Sequence, residues 1–558
     1  MAWTLLLVAV ASLLAAYLYK TIYFRRYCQF SSIPQLPSSF IFGHLKLLNE
    51  YMKRLPAGGH PDLGLAEVHK QLGCPPLFVL DLWPIAKPMV YISNHHVAEQ
   101  VTRASKLFPA SAPKWDPEDM KLILGEKSLV SANGDEWKVM RKQLNPAFAS
   151  KNLSALLPSI MAKMLIFLQN LESLASSGSE FRLGQILMAL TFDIIGLIVL
   201  DEDLNTQHLD ASRNGELFRS FFSLFDTYSQ DNLNGAWWLN PRLAWKRRRL
   251  NHHFETTIKT IIRRKHAELR EKTADNSPRS VLSLCLQDFP VLSPEAVDTT
   301  CGQIKTFLLA GHDTTSAVLG WLFYELSRTP RVLKALSGEL DTLFGPGTGY
   351  QGVMDQLASP DGPRLVRSMP YVSAVFKETL RLHPPAASAR YVEPGTGFTV
   401  STPSGQQQCL DGAMILIFDP YIHRDPSVFG DSANTFDPER WLRADADQIP
   451  ASAWRGFERG PRSCIGQEFA TMEARVIIAV IARCFDFCKV GLGELDLDDK
   501  GEPVLGHDGQ YRVKSEVYQT LQITAKPVDG IRMKVRPSIG RRAGEEGETR
   551  GAVKDTLI

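Results

Sequence analysis

The sequence predicts a mainly α-helical domain with a smaller β region, an α+β arrangement, preceded by one apolar helix at the amino terminus. Three observations carry this. Apolar residues recur at helical spacing through most of the middle of the chain. A periodic run from Ser293 to Arg328 would form one helix about 50 Å long at 1.5 Å per residue. Short β-branched segments broken by Pro and Gly are confined to positions 77–93 and to the region after Pro384. With 558 residues, 44% hydrophobic and 22% charged, the chain can bury a large core. A net charge of +2, without a Lys/Arg stripe interleaved with stacking aromatics, argues against nucleic acid as a partner.

From the amino terminus, Ala2 to Tyr19 carries no charge, and Lys20, Arg25 and Arg26 follow it. Residues 1–24 therefore read as a transmembrane anchor with a luminal amino terminus and the remainder cytosolic. A cleaved signal peptide is the rival reading, disfavoured by the lack of an initial basic residue and by the length of the apolar run. Residues 25–40, with SSIPQLPSS at Ser31–Ser39, read as a stiff proline-rich hinge. Residues 41–537 form the folded domain, and the Gly-rich, charged stretch 538–558 reads as a disordered tail. Leu77 to Ser93 suggests an antiparallel pair around a Pro-containing turn. Helices are expected over Asn152–Ser176, Leu183–Leu200 and Arg242–Arg270. Phe218, Phe221, Phe222 and Phe225 read as helix core. Trp237, Trp238 and Trp245, followed by Lys246 to Arg249, read as an interfacial segment or as buried core. Ser293 and Pro294 supply the N-cap and first position of the longest helix, and Thr329-Pro330 ends it. Eight scattered cysteines lack a zinc-type or disulfide pattern.

The chemistry concentrates in Phe457–Gly466, FERGPRSCIG, with the spacing F-x-x-G-x-R-x-C-x-G. A lone cysteine in a glycine-hinged loop before a helix is well placed to bind a metal as thiolate, since the helix amino terminus favours the negative sulfur. Midway along the long helix, Ala310-Gly-His-Asp-Thr-Thr315 puts an acid beside an alcohol in an apolar segment. Glu378-Thr-Leu-Arg381 matches an E-x-x-R element that also occurs at Glu216/Arg219 and Glu325/Arg328, where a surface helix pair is the plainer reading. Its neighbours, His383-Pro-Pro385 and Phe436-Asp-Pro-Glu-Arg440-Trp441, single out the Glu378 copy.

These motifs, in this order, resemble those of the cytochrome P-450 family of haem-thiolate monooxygenases, over nearly the whole globular chain. The resemblance implies the cytochrome P-450 fold with haem b as cofactor and Cys464 as its axial thiolate. It places the long helix over the oxygen-binding face, with Asp313 and Thr314 delivering protons and Gly311 leaving room for oxygen. Arg141, Arg462, Trp137 and Arg390 are the expected partners of the haem propionates, and Phe457 belongs to the cofactor loop. Glu378, Arg381 and Arg440 become a buried structural network. The resemblance also implies electrons from a membrane-bound NADPH-cytochrome reductase, with cytochrome b5 as a second candidate donor. Lys138 and Lys142 could dock it. The location implied is the endoplasmic reticulum membrane, single-pass. The expected activity is hydroxylation or epoxidation of a lipophilic small molecule with O2, in fungal, mycotoxin-like polyketide or terpenoid biosynthesis. Two other classes stay open: a haem-thiolate isomerase or dehydratase, and a non-catalytic haem sensor.

Overall fold

The computed structural model describes residues 2–115, 120–229, 240–271 and 279–538. Helix α1, Ala2–Tyr23, continues through a π-helical turn, Phe24–Cys28. The combined helix has a mean hydropathy of 1.9 with none of its apolar window buried, which fits a single membrane anchor. Leu183–Leu200 is at least as apolar but 67% buried, so its apolarity serves the core. Arg26 is buried at the base of the anchor, paired with Asp81, and donates to Ile41 O (2.8 Å) and Trp83 O (2.6 Å). Phe30, Ile33 and Leu36 are buried, and Val79 N donates to Pro34 O (3.0 Å). The segment expected as a hinge thus packs against the domain through its own apolar side chains.

Strands β1 (Leu77–Leu80) and β2 (Met89–Ile92) form the expected antiparallel pair. They join β3 (Ser388–Tyr391) and β4 (Met414–Ile417) in one sheet of order β1-β2-β4-β3, with β2 and β4 parallel. The predicted helix over 152–176 is two helices, Ser150–Ala155 and Leu157–Ser177, broken at Leu156. Pro158 explains the break, because it has no N–H for the carbonyl one turn earlier. Among the helices that frame the site, α2 is Gly134–Leu144, α3 Leu157–Ser177, α4 Leu183–Leu200, α5 Glu216–Ser229, α6 Pro241–Glu271 and α7 Pro294–Arg328. Ser293 Oγ accepts from Ala296 N (3.1 Å) and so caps α7. Helix α4 packs along α7, with Phe192, Ile195, Ile304, Leu308 and Leu319 buried between the helices of this core. Trp237, Trp238 and the tail from 539 lie outside the described residues; Trp245 is 64% exposed.

Helix α8 (Pro370–Leu382) carries the network that holds the cysteine-side core. Arg381 makes a two-point pair with Glu378 (2.8 and 2.9 Å), and Arg440 Nε (3.0 Å), Trp441 Nε1 (3.0 Å) and Asp437 N (3.0 Å) also donate to that carboxylate. The remaining guanidinium hydrogens of Arg381 go to His423 O (2.7 Å), Ala433 O (2.5 Å) and Thr435 O (3.1 Å). Every charge is paired, which such burial demands. Glu325, expected at the surface, is instead buried; it accepts from His383 (3.0 Å) and Gln510 (2.8 Å), so this copy of the element ties α7 to α8 and the carboxy-terminal loops.

Candidate functional site

The cysteine loop closes on itself before α9 (Gln467–Cys484). Glu458 N donates to Arg455 O (2.8 Å), Ser463 N to Gly460 O (3.0 Å) and Cys464 N to Phe457 O (2.9 Å). Gly460 has φ of +76°, and a Cβ there would run into the carbonyl of Thr102, so conformation and contact both call for glycine. Fully buried Arg455 ties the loop to the distant helix His95–Thr102 through Thr102 Oγ1 (2.9 Å) and Glu99 Oε2 (3.2 Å). The Phe457 ring packs beside Trp454 and Phe376, with centroids 6.1 and 6.3 Å away. Cys464 is free and exposed, but the space it faces is walled by protein. Desolvation there pushes its thiol up, while the Gly466 N–H, Arg141 and Lys114 pull the other way. A bound metal cation would turn that balance decisively toward the thiolate.

Helix α7 supplies the second wall. From Thr300 to Leu326 every residue is buried except Ala310, Gly311 and Thr314, a window of accessibility in the middle of a core helix. Thr314 Oγ1 donates to Ala310 O (2.8 Å), bonding back one turn. Gly311 is half-buried in this window, and a Cβ there would clash with Ile195, so its bareness also allows α4 to approach α7; Ala310 beside it is exposed. Asp313 is fully buried and directed to the carboxy-terminal hairpin, where it pairs with Lys526 and accepts from Thr524 Oγ1 (2.7 Å). His312 points elsewhere again. Its ring lies 5.2 to 6.3 Å from those of Phe192, Phe221, Phe222 and Phe225, and burial lowers its pKa to about 4. The aromatic band is therefore helix core around a neutral histidine.

The loop over 122–133 joins the two walls. Its carbonyls at Leu124 and Lys127 accept from Thr306 (2.5 Å) and Gln303 (3.1 Å) of α7, while those at Val130 and Ala132 accept from Arg462 (3.2 and 2.7 Å) of the cysteine loop. Arg462 also lies over the buried Trp137 ring, 4.7 Å from its centroid. One turn along α2, Arg141 donates to Ser463 O (2.8 Å) and Asn145 Oδ1 (3.0 Å). Arg390, fully buried on β3, donates through Nη1 to Ser388 Oγ (2.6 Å), whereas its Nε and Nη2 are buried and find no partner among the described residues. Lys114 joins this set and was not foreseen. It bridges to Arg390 through the backbone, and its Nζ donates to Ser388 Oγ (3.1 Å). A lone lysine in an irregular loop carries no sequence signal for this role; backbone pairing brings it in.

Among the described residues, none of these four cations has a carboxylate within ion-pair distance. Burial lowers Arg390 to about 10, and burial with repulsion from Arg390 and Arg141 lowers Arg462 to about 9; Lys114 is pushed well below the usual lysine range by burial, then by Arg390 and Arg462. Guanidinium stays charged at such values, so the shifts register chiefly desolvated positive charge, which an anionic ligand would stabilise. Two carboxylates on an apolar, metal-bearing body would suit the free thiol, the unsatisfied N–H groups and the small-residue window together.

Comparison with known proteins agrees with this geometry. The cytochrome P450 family model matches residues 34–514. Cytochrome P450 monooxygenase polC of Polytolypa hystricis is 30% identical over 502 residues, covering 86% of this chain and 85% of the relative. Cytochrome P450 monooxygenase acrF of Aspergillus aculeatus is 28% identical over 512 residues, covering 86% and 98%. A bifunctional cytochrome P450/NADPH–P450 reductase of Gibberella moniliformis is 26% identical over 479 residues, covering 82% of this chain and 37% of that longer protein. A thiol loop, an accessible window on a buried helix and a family match across most of the chain lead to one conclusion: this chain belongs to the cytochrome P450 family and is a haem-thiolate monooxygenase.

Proposed function

We propose that Cys464 is the axial thiolate of haem b, that Arg390, Arg462, Arg141 and Trp137 with Lys114 hold its two carboxylates, and that Asp313 and Thr314 deliver protons on the opposite face. The observation that carries the ligand set is the cluster of desolvated cations without an acid partner, gathered around an unpaired cysteine. Bound haem supplies dioxygen activation, for which a thiolate ligand is suited because it pushes electron density toward O–O cleavage. The protein's own share is then positional. The loop hydrogen bonds hold the sulfur, β3 and α2 present the cations, and Ala310 leaves space beside the Thr314 hydroxyl.

The substrate is a lipophilic polyketide or terpenoid in fungal secondary metabolism, hydroxylated or epoxidised with one atom of O2. Exposed Ala386 and Ala387 beside β3 leave room for a bulky molecule. Electrons come from a separate NADPH-dependent reductase, with cytochrome b5 as a second donor. Exposed Lys138 and Lys142 on α2 give a basic face for an acidic partner. The protein sits in the endoplasmic reticulum membrane, a reading supported by the apolar amino-terminal helix, with residues 41–537 in the cytosol, residues 25–40 as the connecting segment and 538–558 as a tail.

Thr314→Ala tests the proton role. Coupled turnover consumes RH, O2, NADPH and H+ to give ROH, water and NADP+; the leak consumes O2, NADPH and H+ to give H2O2 and NADP+. With any lipophile that the parent protein oxidises, the variant is expected to retain haem and shift most NADPH use to peroxide. Normal coupling in that variant would remove Thr314 from the mechanism.

A further inference from the structure

A cleft of about 900 Å³ lies outside the site described above: none of the residues that line it belongs to the thiolate and cation set or to the accessible window of α7. Its size is that of small-molecule sites, about 300–1,000 Å³. One wall is a single face of the helix Pro61–Gln71, where Asp62, Ala66 and His69 follow each other at spacings of four and three residues. Other walls come from α7, from the end of α8 and from the loops that carry Tyr421 and Tyr518. On α7, Trp321 stands two turns beyond Thr314. Its indole stacks on the ring of His383, just past α8, with centroids 4.0 Å apart and planes 5° apart. Tyr421 sets its ring edge-on to that of His69, 4.3 Å between centroids.

The polar groups of the cleft are mostly acceptors. His69 Nε2 faces Pro75 O (2.9 Å), a carbonyl, so Nε2 carries the ring proton, and Nδ1 is a buried acceptor that finds no partner among the described residues. His383 donates from Nε2 to Glu325 (3.0 Å), and its Nδ1 makes no hydrogen bond among the described residues. Burial lowers the pKa of both rings, so each keeps a free lone pair at neutral pH. Asp62, Asp425 and Glu516 add carboxyl groups from three segments, against one cation, Arg424. Arg424 donates to Leu382 O (2.6 Å) and Pro420 O (3.5 Å). Among the described residues it has no carboxylate within ion-pair distance, and its Nε makes no hydrogen bond. Trp321 Nε1 is likewise buried without a partner among them, a condition that native interiors rarely leave unexplained.

We propose that this cleft is a second small-molecule site, separate from the haem pocket, for a flat, uncharged aromatic that carries two or more hydroxyl groups. The Trp321–His383 stack and Tyr421 offer ring surface to a planar body. Ring-nitrogen and carboxyl acceptors take its O–H hydrogens, and Arg424 donates to its oxygens. An anion would meet three acids for one arginine. A cation would meet that arginine, while the acids attract it weakly: burial pushes the Asp62 carboxyl up, Asp425 Oδ1 already accepts from Ser427 N and Oγ (2.9 and 2.7 Å), and the Glu516 side chain is 75% exposed.

The test uses purified full-length, haem-loaded protein in detergent, with the haem pocket filled by excess clotrimazole, an imidazole that ligates haem iron. Equilibrium dialysis measures binding of 2,7-dihydroxynaphthalene, naphthalene, 2-naphthoate and 1-naphthylmethylamine, and the reduced carbon monoxide spectrum, taken without the azole, checks that each variant is assembled. The expected result is one dihydroxynaphthalene per protein, held at least roughly tenfold tighter than naphthalene, the scale of one or two hydrogen bonds to buried groups. The Soret band of the azole complex stays where it was. Ala66→Phe, which fills the cleft from its helical wall, lowers the affinity by a similar factor. Ser404→Trp does the same from an exposed turn on the rim, and decides the matter if Ala66→Phe does not assemble. The proposal is overturned if no diol binds beside the azole, if the assembled variants bind it like the parent protein, or if naphthoate or the amine binds more tightly than the diol. A shift of the Soret band as the diol binds would place it in the haem pocket and overturn the proposal equally.

Discussion

Cys464→Ala is expected to lose the strongly red-shifted Soret band of the reduced, carbon monoxide-bound protein and to form no product. The reasoning is one of electrostatic surroundings. Cys285 and Cys301 are buried, with thiols pushed up to about 12 by desolvation, so neither is a ready thiolate. Cys464 alone sits in a loop closed by its own backbone, under the Gly466 N–H and beside Arg141 and Lys114. Removing the sulfur should leave Arg390, Arg462, Arg141 and Lys114 able to hold the haem carboxylates, so some haem is retained with an altered spectrum. The difference spectrum in microsomes reads this directly. A red-shifted band that persists in Cys464→Ala would move the ligand to another residue and take the cation assignment with it.

Glu378→Ala should have the largest effect on stability. Its carboxylate receives donors from Arg381, Arg440, Trp441 and the Asp437 backbone, all in the interior. Truncation leaves two buried guanidinium groups without their anion, a loss of about 3–5 kcal/mol by comparison with other broken buried pairs. Against a total stability of about 5–15 kcal/mol, this should leave little haem-loaded protein at physiological temperature. Thermal or urea unfolding of purified protein, with haem content, measures it. A variant within about 1 kcal/mol of the parent, the scale of an ordinary substitution, would mean that backbone carbonyls around Arg381 suffice. Glu216→Ala, in the E-x-x-R copy on α5, should cost far less, because Glu216 is exposed and its ion-pair partner is the exposed His253.

Much of this molecule is determined by the sequence alone. Helical periodicity marks α4, α6 and α7 to within a residue or two because each is long and strongly periodic; α7 also starts at a serine-proline pair that closes the first turn without outside help. The cysteine loop is likewise legible, since its turns are made by bonds between residues a few positions apart and Gly460 must take a left-handed backbone. Tertiary structure decided the remainder. Three E-x-x-R copies look alike in sequence, and only folding shows that Glu378 meets Arg440, that Glu325 is buried against His383, and that Glu216 stays outside. Only the fold shows that the missing side chain of Gly311 also lets α4 approach α7. Lys114 and Lys526 had no local signal, the first entering through a backbone bridge to Arg390 and the second reaching an acid 213 positions earlier. The physical reason is the same in each case: turns and helices are stabilised by neighbours in the chain, whereas the field at a buried charge is a sum over groups that the fold alone brings together.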